Sequence, residues 1–417
     1  MAFEFMQSAL DARHQAQLHR KRVSIDSNHQ AVIEVNGAHY INFSSNDYLG
    51  LSQHPDILQS YAEGLSLYGA SSSASSVVTG YSKEHRLLED DICEHTNKEA
   101  ALLFSSGFAA NQAICTALFS HDVGAEQQHI IADKFMHASF VESATYTSMA
   151  KKTLSFSRFK HNDIEHLRAI LHKQEAAATE TADKTIMHRL IATEGVFSMD
   201  GDQGSLSSIC DLLHQASDQS QQTPWLLVDD AHALGVVGEQ GMGSCDVSAS
   251  NGHATDVNIL MATFGKAIGT QGAFVAGTQT LIDYMLNFSK HYIYSTAIPA
   301  AVARATRCSF AIMRMGRERE VLASNIALFR RLAANAGIVL PDSESPIQVI
   351  IIGEPARAMA LSDALKELGI WVNAIRTPTV PKHSDRLRIT ISALHQEKDI
   401  TALVDALSIC MQQGSQA

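Results

Sequence analysis

Seven short apolar runs, separated by helix-patterned or polar stretches, constrain this chain more than any other feature. They are Ala101–Phe104, Ile130–Ala132, Thr153–Phe156, Leu190–Thr193, Trp225–Val228, Ile259–Thr263 and Ala273–Ala276. Strand-length runs alternating with helical patterns mark repeated β-α units. Such units predict an α/β fold with a mostly parallel sheet covered by helices on both faces.

The flanks add smaller elements. Residues 3–22 read as an amphipathic helix whose basic end, Arg20-Lys21-Arg22, suits a helix C-terminus electrostatically. Asn36-Gly37 lies between two alternating segments, 31–35 and 38–43, and signals a hairpin. Residues 69–80 are small and hydroxyl-rich, but helical sequence resumes at His85, so an ordered loop packed near a site is expected rather than a linker. Residues 174–186 look like an exposed insertion. After Pro299 a long helical stretch runs to about residue 337. A βαβ-like segment follows: Gln348–Ile352, a helix at 357–368, then Arg386–Ile391. The expected division is residues 1–45 as N-terminal helix and hairpin, 46–296 as the large domain and 297–417 as a smaller C-terminal α/β domain.

Composition excludes several classes of function. The 417 residues carry 32 Lys and Arg against 44 Asp and Glu, a net charge of −12. An acidic chain without a basic run is a poor binder of nucleic acid or anionic membrane. No apolar stretch approaches the ~20 residues of a membrane helix. The N-terminus lacks a secretion signal, and six scattered cysteines form no C-x-x-C pair, so a cytoplasmic protein is expected. Twenty histidines show no metal-ligand spacing, so no metal is expected.

In open α/β sheets ligands sit beyond the carboxyl ends of the strands. Gly107, followed by small helix formers, could open a helix whose N–H groups face an anion. Further along come Asp133 to Ser139 with His137, and Glu194 to Asp202 with Ser198. The run Trp225–Val228 ends in Asp229-Asp230, with His232 three residues beyond Asp229. A catalytic pair, a metal site and a solvated turn all remain open for that stretch. Ile259–Thr263 leads to Phe264-Gly265-Lys266, a lone cation with no acidic residue within five positions. A lysine in an apolar pocket has its pKa lowered, and the neutral amine is the form that attacks carbonyls. The bland alternative is a lysine whose head reaches water. Pyridoxal 5′-phosphate needs a lysine for covalent attachment, a carboxylate at its ring nitrogen and an anion site for its phosphate. Neither a Walker loop nor a G-x-G-x-x-G after a strand is present.

Asn42–Gly50, Thr193–Asp202, Val228–His232, Thr263–Lys266, Tyr294-Ser295-Thr296 and Ala374–Pro381 together resemble the α-oxoamine synthases, which are fold-type I pyridoxal-phosphate enzymes. The resemblance runs from about residue 9 to residue 408. It implies that Lys266 carries the cofactor and serves as base, Asp229 pairs with the ring nitrogen, and His232 and Ser198 bond the ring hydroxyl. It implies that His137 stacks on the ring and that Gly107, Phe108 and Thr263 hold the phosphate. Arg20, Asn46, Thr379 and Arg388 would contact substrate. Thr296 would reach the phosphate of the neighbouring subunit in a homodimer, although Ser295 or Thr296 could instead cap the helix after Pro299. One departure is that Ser71, Ser73, Ala74 and Ser76 stand where relatives often carry glycine or a basic residue.

Within the family, the pattern implies condensation of L-alanine with a pimeloyl thioester, carried on coenzyme A or acyl carrier protein. Sister reactions joining glycine to acetyl-CoA, or serine to a long acyl chain, use the same machinery. A non-catalytic cofactor-binding protein is the alternative from another class.

Overall fold

The computed structural model describes residues 3–16, 18–119, 127–179, 187–219, 224–245 and 257–413. Near the N-terminus, β1 (Ser27–His29), β2 (Val32–Val35) and β3 (Ala38–Asn42) form an antiparallel meander. Asn36 and Gly37, with φ of 51° and 76°, supply the two left-handed residues of a tight hairpin turn.

All seven apolar runs enter one sheet. They are β4 (Ala100–Phe104), β5 (Gln127–Asp133), β6 (Leu154–Phe159), β7 (Met187–Glu194), β8 (Trp225–Asp229), β9 (Ile259–Thr263) and β10 (Ala273–Gly277). Their order is β4-β10-β9-β8-β7-β5-β6. Only β10 runs antiparallel to its neighbours, β4 and β9. Residues 264–272 are too few for a crossover helix, so the chain must turn back there. The carboxyl ends of β4, β9, β8, β7 and β5 therefore share one edge.

Alternate strand residues feed two cores. Ile191, Leu226 and Val228 pack with Leu167 and Leu212 on one face. Leu190, Leu227 and Ile259 pack with Ile114 and Phe140 on the other. Helices thus cover both faces, and each fully buried large apolar side chain contributes about 1.5–3 kcal/mol of transfer free energy.

Several expectations are corrected. The N-terminal helix spans only Phe5–Gln15, and none of its residues is buried. With no packed face, a short helix has little to extend it, and residues 18–25 lack regular structure. The stretch after Pro299 is two helices, Ala300–Met315 and Arg317–Asn335, divided at Gly316, whose φ is 88°. The C-terminal segment is not a βαβ unit. After β11 (Ile347–Ile351) and the helix Pro355–Glu367, the chain passes through β12 (Ile370–Trp371) and β13 (Asn373–Ile375). It then reverses, so β14 (Arg386–Thr390) lies antiparallel to both β13 and β11. β12 instead pairs in parallel with β3, which joins the hairpin to the C-terminal region. The expected insertion at 174–186 begins as the end of the helix Ile164–Thr179, and residues 180–186 lie outside the described residues.

The hydroxyl-rich loop packs against the segment before Pro299. Ser72 Oγ donates to the Ile298 carbonyl at 2.7 Å, and the Ala297 N–H donates to the Ala74 carbonyl at 3.0 Å. Ser73 adopts a left-handed φ of 57°, a conformation that costs a residue with a Cβ. No helix among the described residues is long and apolar enough to cross a membrane.

Candidate active site

The shared strand edge opens on a cavity of about 170 Å³. From β9 come Met261, Thr263 and, in the following turn, Lys266. From the end of β8 come Asp229, Ala231 and His232, and from β7 comes Glu194. His137 and Ser139 follow β5, and Gly107, Phe108 and Asn111 follow β4. The turn after β9 is held by Phe264 N–H to the Gly272 carbonyl, Thr270 N–H to Phe264 and Gly269 N–H to Lys266, each at 2.9 Å. Gly269 has φ 69°, and a Cβ there would lie 2.4 Å from the Ser52 nitrogen. Lys266 keeps some surface open to the cavity. Burial nevertheless pushes its amine down to about 8, against the pull of Asp229 and Glu194 and assisted by Arg388. About a tenth of the amine is then neutral at pH 7, far more than for an ordinary lysine.

Polar links tie these elements together. Asp229 Oδ2 accepts from Asn111 Nδ2 at 3.0 Å, and Oδ1 accepts from the Ala231 N–H at 3.0 Å. Asn111 Nδ2 also donates to Ser139 Oγ at 3.0 Å, leaving that hydroxyl proton for His137 Nδ1 at 2.8 Å. The Ser139 N–H donates to the same nitrogen at 3.2 Å. This assigns the His137 proton to Nε2. His137 keeps an open face, yet the crowding of burial lowers its pKa against the influence of Asp229. His232 Nδ1 lies 2.6 Å from the Tyr48 hydroxyl. Burial, then the charges of Lys266 and Arg388, hold His232 well below its ordinary value, so it is neutral.

The adjacent carboxylates of the Asp229-Asp230 pair have different fates. Asp230 accepts from Ser244 N–H at 2.6 Å and Ser244 Oγ at 2.7 Å, and burial pushes it up to about 7. Only Asp229 of the two lines the cavity. Among the described residues no group of His, Cys, Asp and Glu is arranged to hold a metal.

Gly107 opens the helix Gly107–Phe119 at the rim of the cavity. A Cβ on Gly107 would sit 2.6 Å from Thr263 Cγ2, so the two elements leave no room for a side chain. Thr263 Oγ1, Asn111 Oδ1 and Glu194 Oε1 are buried without hydrogen-bond partners among the described residues. An amine, a carboxylate, a helix N-terminus and unpaired polar atoms around one space fit pyridoxal phosphate.

Arg388 is buried beside this cavity. Its Nε donates to the Ser198 carbonyl at 2.9 Å, and Nη1 donates to Thr390 Oγ1 at 3.2 Å and Asn46 Oδ1 at 3.3 Å. Arg388, Asn46 and Ser198 are thereby brought together. Arg20 and Thr379 are exposed and do not line the cavity. Thr296 is also exposed and outside it. Neither Ser295 nor Thr296 caps the following helix, whose N-cap is Pro299 without a side-chain bond.

Sequence reasoning missed Glu194, Asn111, Ser139 and Tyr48 as site residues. Glu194 follows an apolar run just as Asp229 does, which was a usable signal. Asn111 is one of two adjacent amides, with Gln112, one turn into a mostly apolar helix, so its sequence signal is weaker. For Tyr48 and Ser139, only the tertiary contacts reveal the role.

The aminotransferase class I and II family matches residues 38–407. The 8-amino-7-oxononanoate synthase of Aeromonas hydrophila is 41% identical over 404 residues, covering 96% of this chain and 94% of that protein. The enzyme of the same description from Aeromonas salmonicida is 41% identical over 410 residues, covering 98% and 95%. Among solved structures, serine palmitoyltransferase from Sphingomonas wittichii shares the fold with a TM-score of 0.85 at 24% identity, covering 99% of this chain and 98% of that one. The 8-amino-7-oxononanoate synthase of Francisella tularensis superposes with a TM-score of 0.70 at 27% identity, covering 90% and 99%.

Proposed function

The chain belongs to the aminotransferase class I and II family, and from that premise we propose that it joins L-alanine to a pimeloyl thioester in biotin biosynthesis. The activity is that of an acyltransferase of the α-oxoamine synthase type, with pyridoxal 5′-phosphate as cofactor. The alanine α-carbon gains a bond to the thioester carbonyl, the thiol carrier leaves, and the alanine carboxylate departs as carbon dioxide. The product is 8-amino-7-oxononanoate. The observation that carries this reading is the convergence of Lys266, Asp229, His232 and His137 on one cavity, in a chain 41% identical to such synthases.

When bound, the cofactor supplies an electron sink for the pair left behind as the α-proton of the attached amino acid departs. In this reading the Gly107 and Phe108 amides and the Thr263 hydroxyl hold its phosphate. Asp229 would pair with the ring nitrogen and keep it protonated. His137 would lie against the ring, and His232 and Ser198 would bond the ring hydroxyl. Lys266 provides the attaching amine. As a free amine its Nζ would serve as general base for the α-proton, a role suited to a group lowered to about 8. Arg388 and Asn46 contact the substrate, with Arg20 and Thr379 further out.

The active unit is a homodimer in which Thr296 reaches the phosphate in the partner's cavity. Support comes from the exposure of Tyr294, Val77 and Val78 around the Thr296 segment. A cytoplasmic setting agrees with six cysteines that form no disulfide.

A product assay over a grid of amino acids and acyl thioesters tests the reaction, with each acyl group offered on coenzyme A and on acyl carrier protein. Alanine with a pimeloyl thioester should give 8-amino-7-oxononanoate, free thiol and carbon dioxide. Turnover confined to glycine with acetyl-CoA, or to serine with a long acyl chain, would overturn it.

A further inference from the structure

Glu194 ends β7 as the register partner of Asp229 at the end of β8. Paired residues of neighbouring strands project from the same face, so the two carboxyls stand side by side. Both are almost completely buried, and both line the cavity. Two adjacent carboxyls in such surroundings do not both hold a charge.

The supply of donors differs between them. Each oxygen of Asp229 accepts an N–H at 3.0 Å. Glu194 Oε2 accepts a longer bond from the Ser198 N–H at 3.3 Å, and the His137 N–H also pulls on the carboxyl. Its Oε1 is buried with no partner among the described residues. A carboxylate oxygen without a donor is costly, whereas a carboxylic acid in that position keeps its own proton. The other charged or titratable groups around this corner are Lys266, Arg388, His137 and His232, and Asp230, which acts on Asp229 by charge and is bonded to Ser244.

We propose that Glu194 is a neutral carboxylic acid, the proton-bearing half of a pair with Asp229, and that it thereby sets the amine of Lys266. One negative charge rather than two then faces the lysine. A second carboxylate would favour the ammonium form and withdraw the amine needed for attachment and proton abstraction. The Oε1–H is also left free to donate to an acceptor on a bound ligand. Burial, reinforced by the charge of Asp229, pushes Glu194 well above the usual carboxylate range. Lys266 and the Ser198 and His137 N–H groups pull the other way. The proposal makes Glu194 a positioning residue for Lys266, and it rests on the reading of this cavity as the cofactor site.

The test reads the acid directly in the full-length protein, without turnover. Infrared spectra at neutral pH are recorded on cofactor-free protein carrying carboxyl-labelled glutamate or, separately, carboxyl-labelled aspartate. The carbonyl stretch of a buried carboxylic acid should shift under the glutamate label and vanish in Glu194→Gln. The pH dependence of Lys266 modification by an amine reagent provides the second readout. Glu194→Gln copies the neutral acid, so the Lys266 midpoint should move by less than about half a pH unit, whereas Asp229→Asn should lower it by about one unit or more. Absence of a glutamate acid band, or a Glu194→Gln shift as large as that of Asp229→Asn, would overturn the proposal. Burial also raises Glu89 to about 8, so the spectra are recorded in a Glu89→Gln background, where absence of the glutamate acid band overturns the proposal even if Glu194→Gln fails to fold. Failure here would leave the product assay untouched, so the two readings can fall separately.

Discussion

Inside the cavity, Asp229, Asn111 and His232 are buried, and each is held by a partner from another element. Along a surface rim outside the cavity lining, formed by residues 69–81 and 288–299, the pattern inverts. There Tyr294 is 79% exposed and Val78 72%, while the backbone beneath them is firmly bonded. The loop carbonyl of Ala74 and the Ile298 carbonyl are both taken, the latter also by His85 Nε2 at 2.7 Å. Order in the cavity comes with burial, whereas order on the rim persists under an uncovered apolar surface. An ordered apolar surface of this kind is what a second subunit would complete.

The largest effect should follow from breaking the cavity side of this contrast. Lys266→Ala should cut turnover by at least about 10²–10⁴-fold, the usual worth of a positioned base, and borohydride should no longer fix the cofactor to the protein. Asp229→Asn should keep the fold but lose most exchange of the alanine α-proton. Fixation at another lysine, or near-normal exchange, would remove the cavity from the chemistry.

Next in size is the clamp beside the cavity. His161 bonds Asp133 at 3.0 Å and Asp202 at 2.8 Å, linking the turn before His137 to the loop after Ser198. Phe135 stacks on its ring, and Phe197 meets it edge-on. Burial alone would lower its pKa, but the bonds and charges of Asp133 and Asp202 raise it to about 9. A raised histidine stabilises fully below its ordinary value of 6.5, and that contribution fades as pH climbs through about 9. His161→Gln should therefore cost on the order of 3 kcal/mol at pH 6 and much less at pH 10, measured by urea unfolding. Equal losses at both values would show that His161 is not charged in the folded protein.

The rim carries the smallest expected effect. A hydroxyl–phosphate bond contributes about 1.5–3 kcal/mol, so Thr296→Val should weaken cofactor retention while leaving the proposed dimer intact. Mixing Lys266→Ala with Thr296→Val subunits sharpens the comparison. If Thr296 serves its partner, a mixed dimer has one doubly damaged site and one intact site, and up to half of wild-type activity per mixed dimer returns. No recovery, with exchange confirmed, would confine Thr296 to its own chain or to no role.

What the amino-acid sequence determined by itself was local. Apolar runs of strand length located all seven strands of the large sheet, because burial on two faces demands such runs wherever they fold. Asn36-Gly37 specified its hairpin through backbone conformation alone. Glycines and a lone cation marked the turn at Lys266. The tertiary structure decided whatever depends on direction and register. Asp229 and Asp230 are neighbours in the chain, yet one lines the cavity and the other braces Ser244. Glu194 became a partner of Asp229 only through the pairing of β7 with β8. The exposed N-terminal helix stopped at Gln15 because no surface received it, and β14 ran against β11 because two intervening strands changed the chain's course. Side-chain type and spacing travel with the chain, but facing partners, and the charge states they impose, exist only once distant segments share the same low-dielectric space.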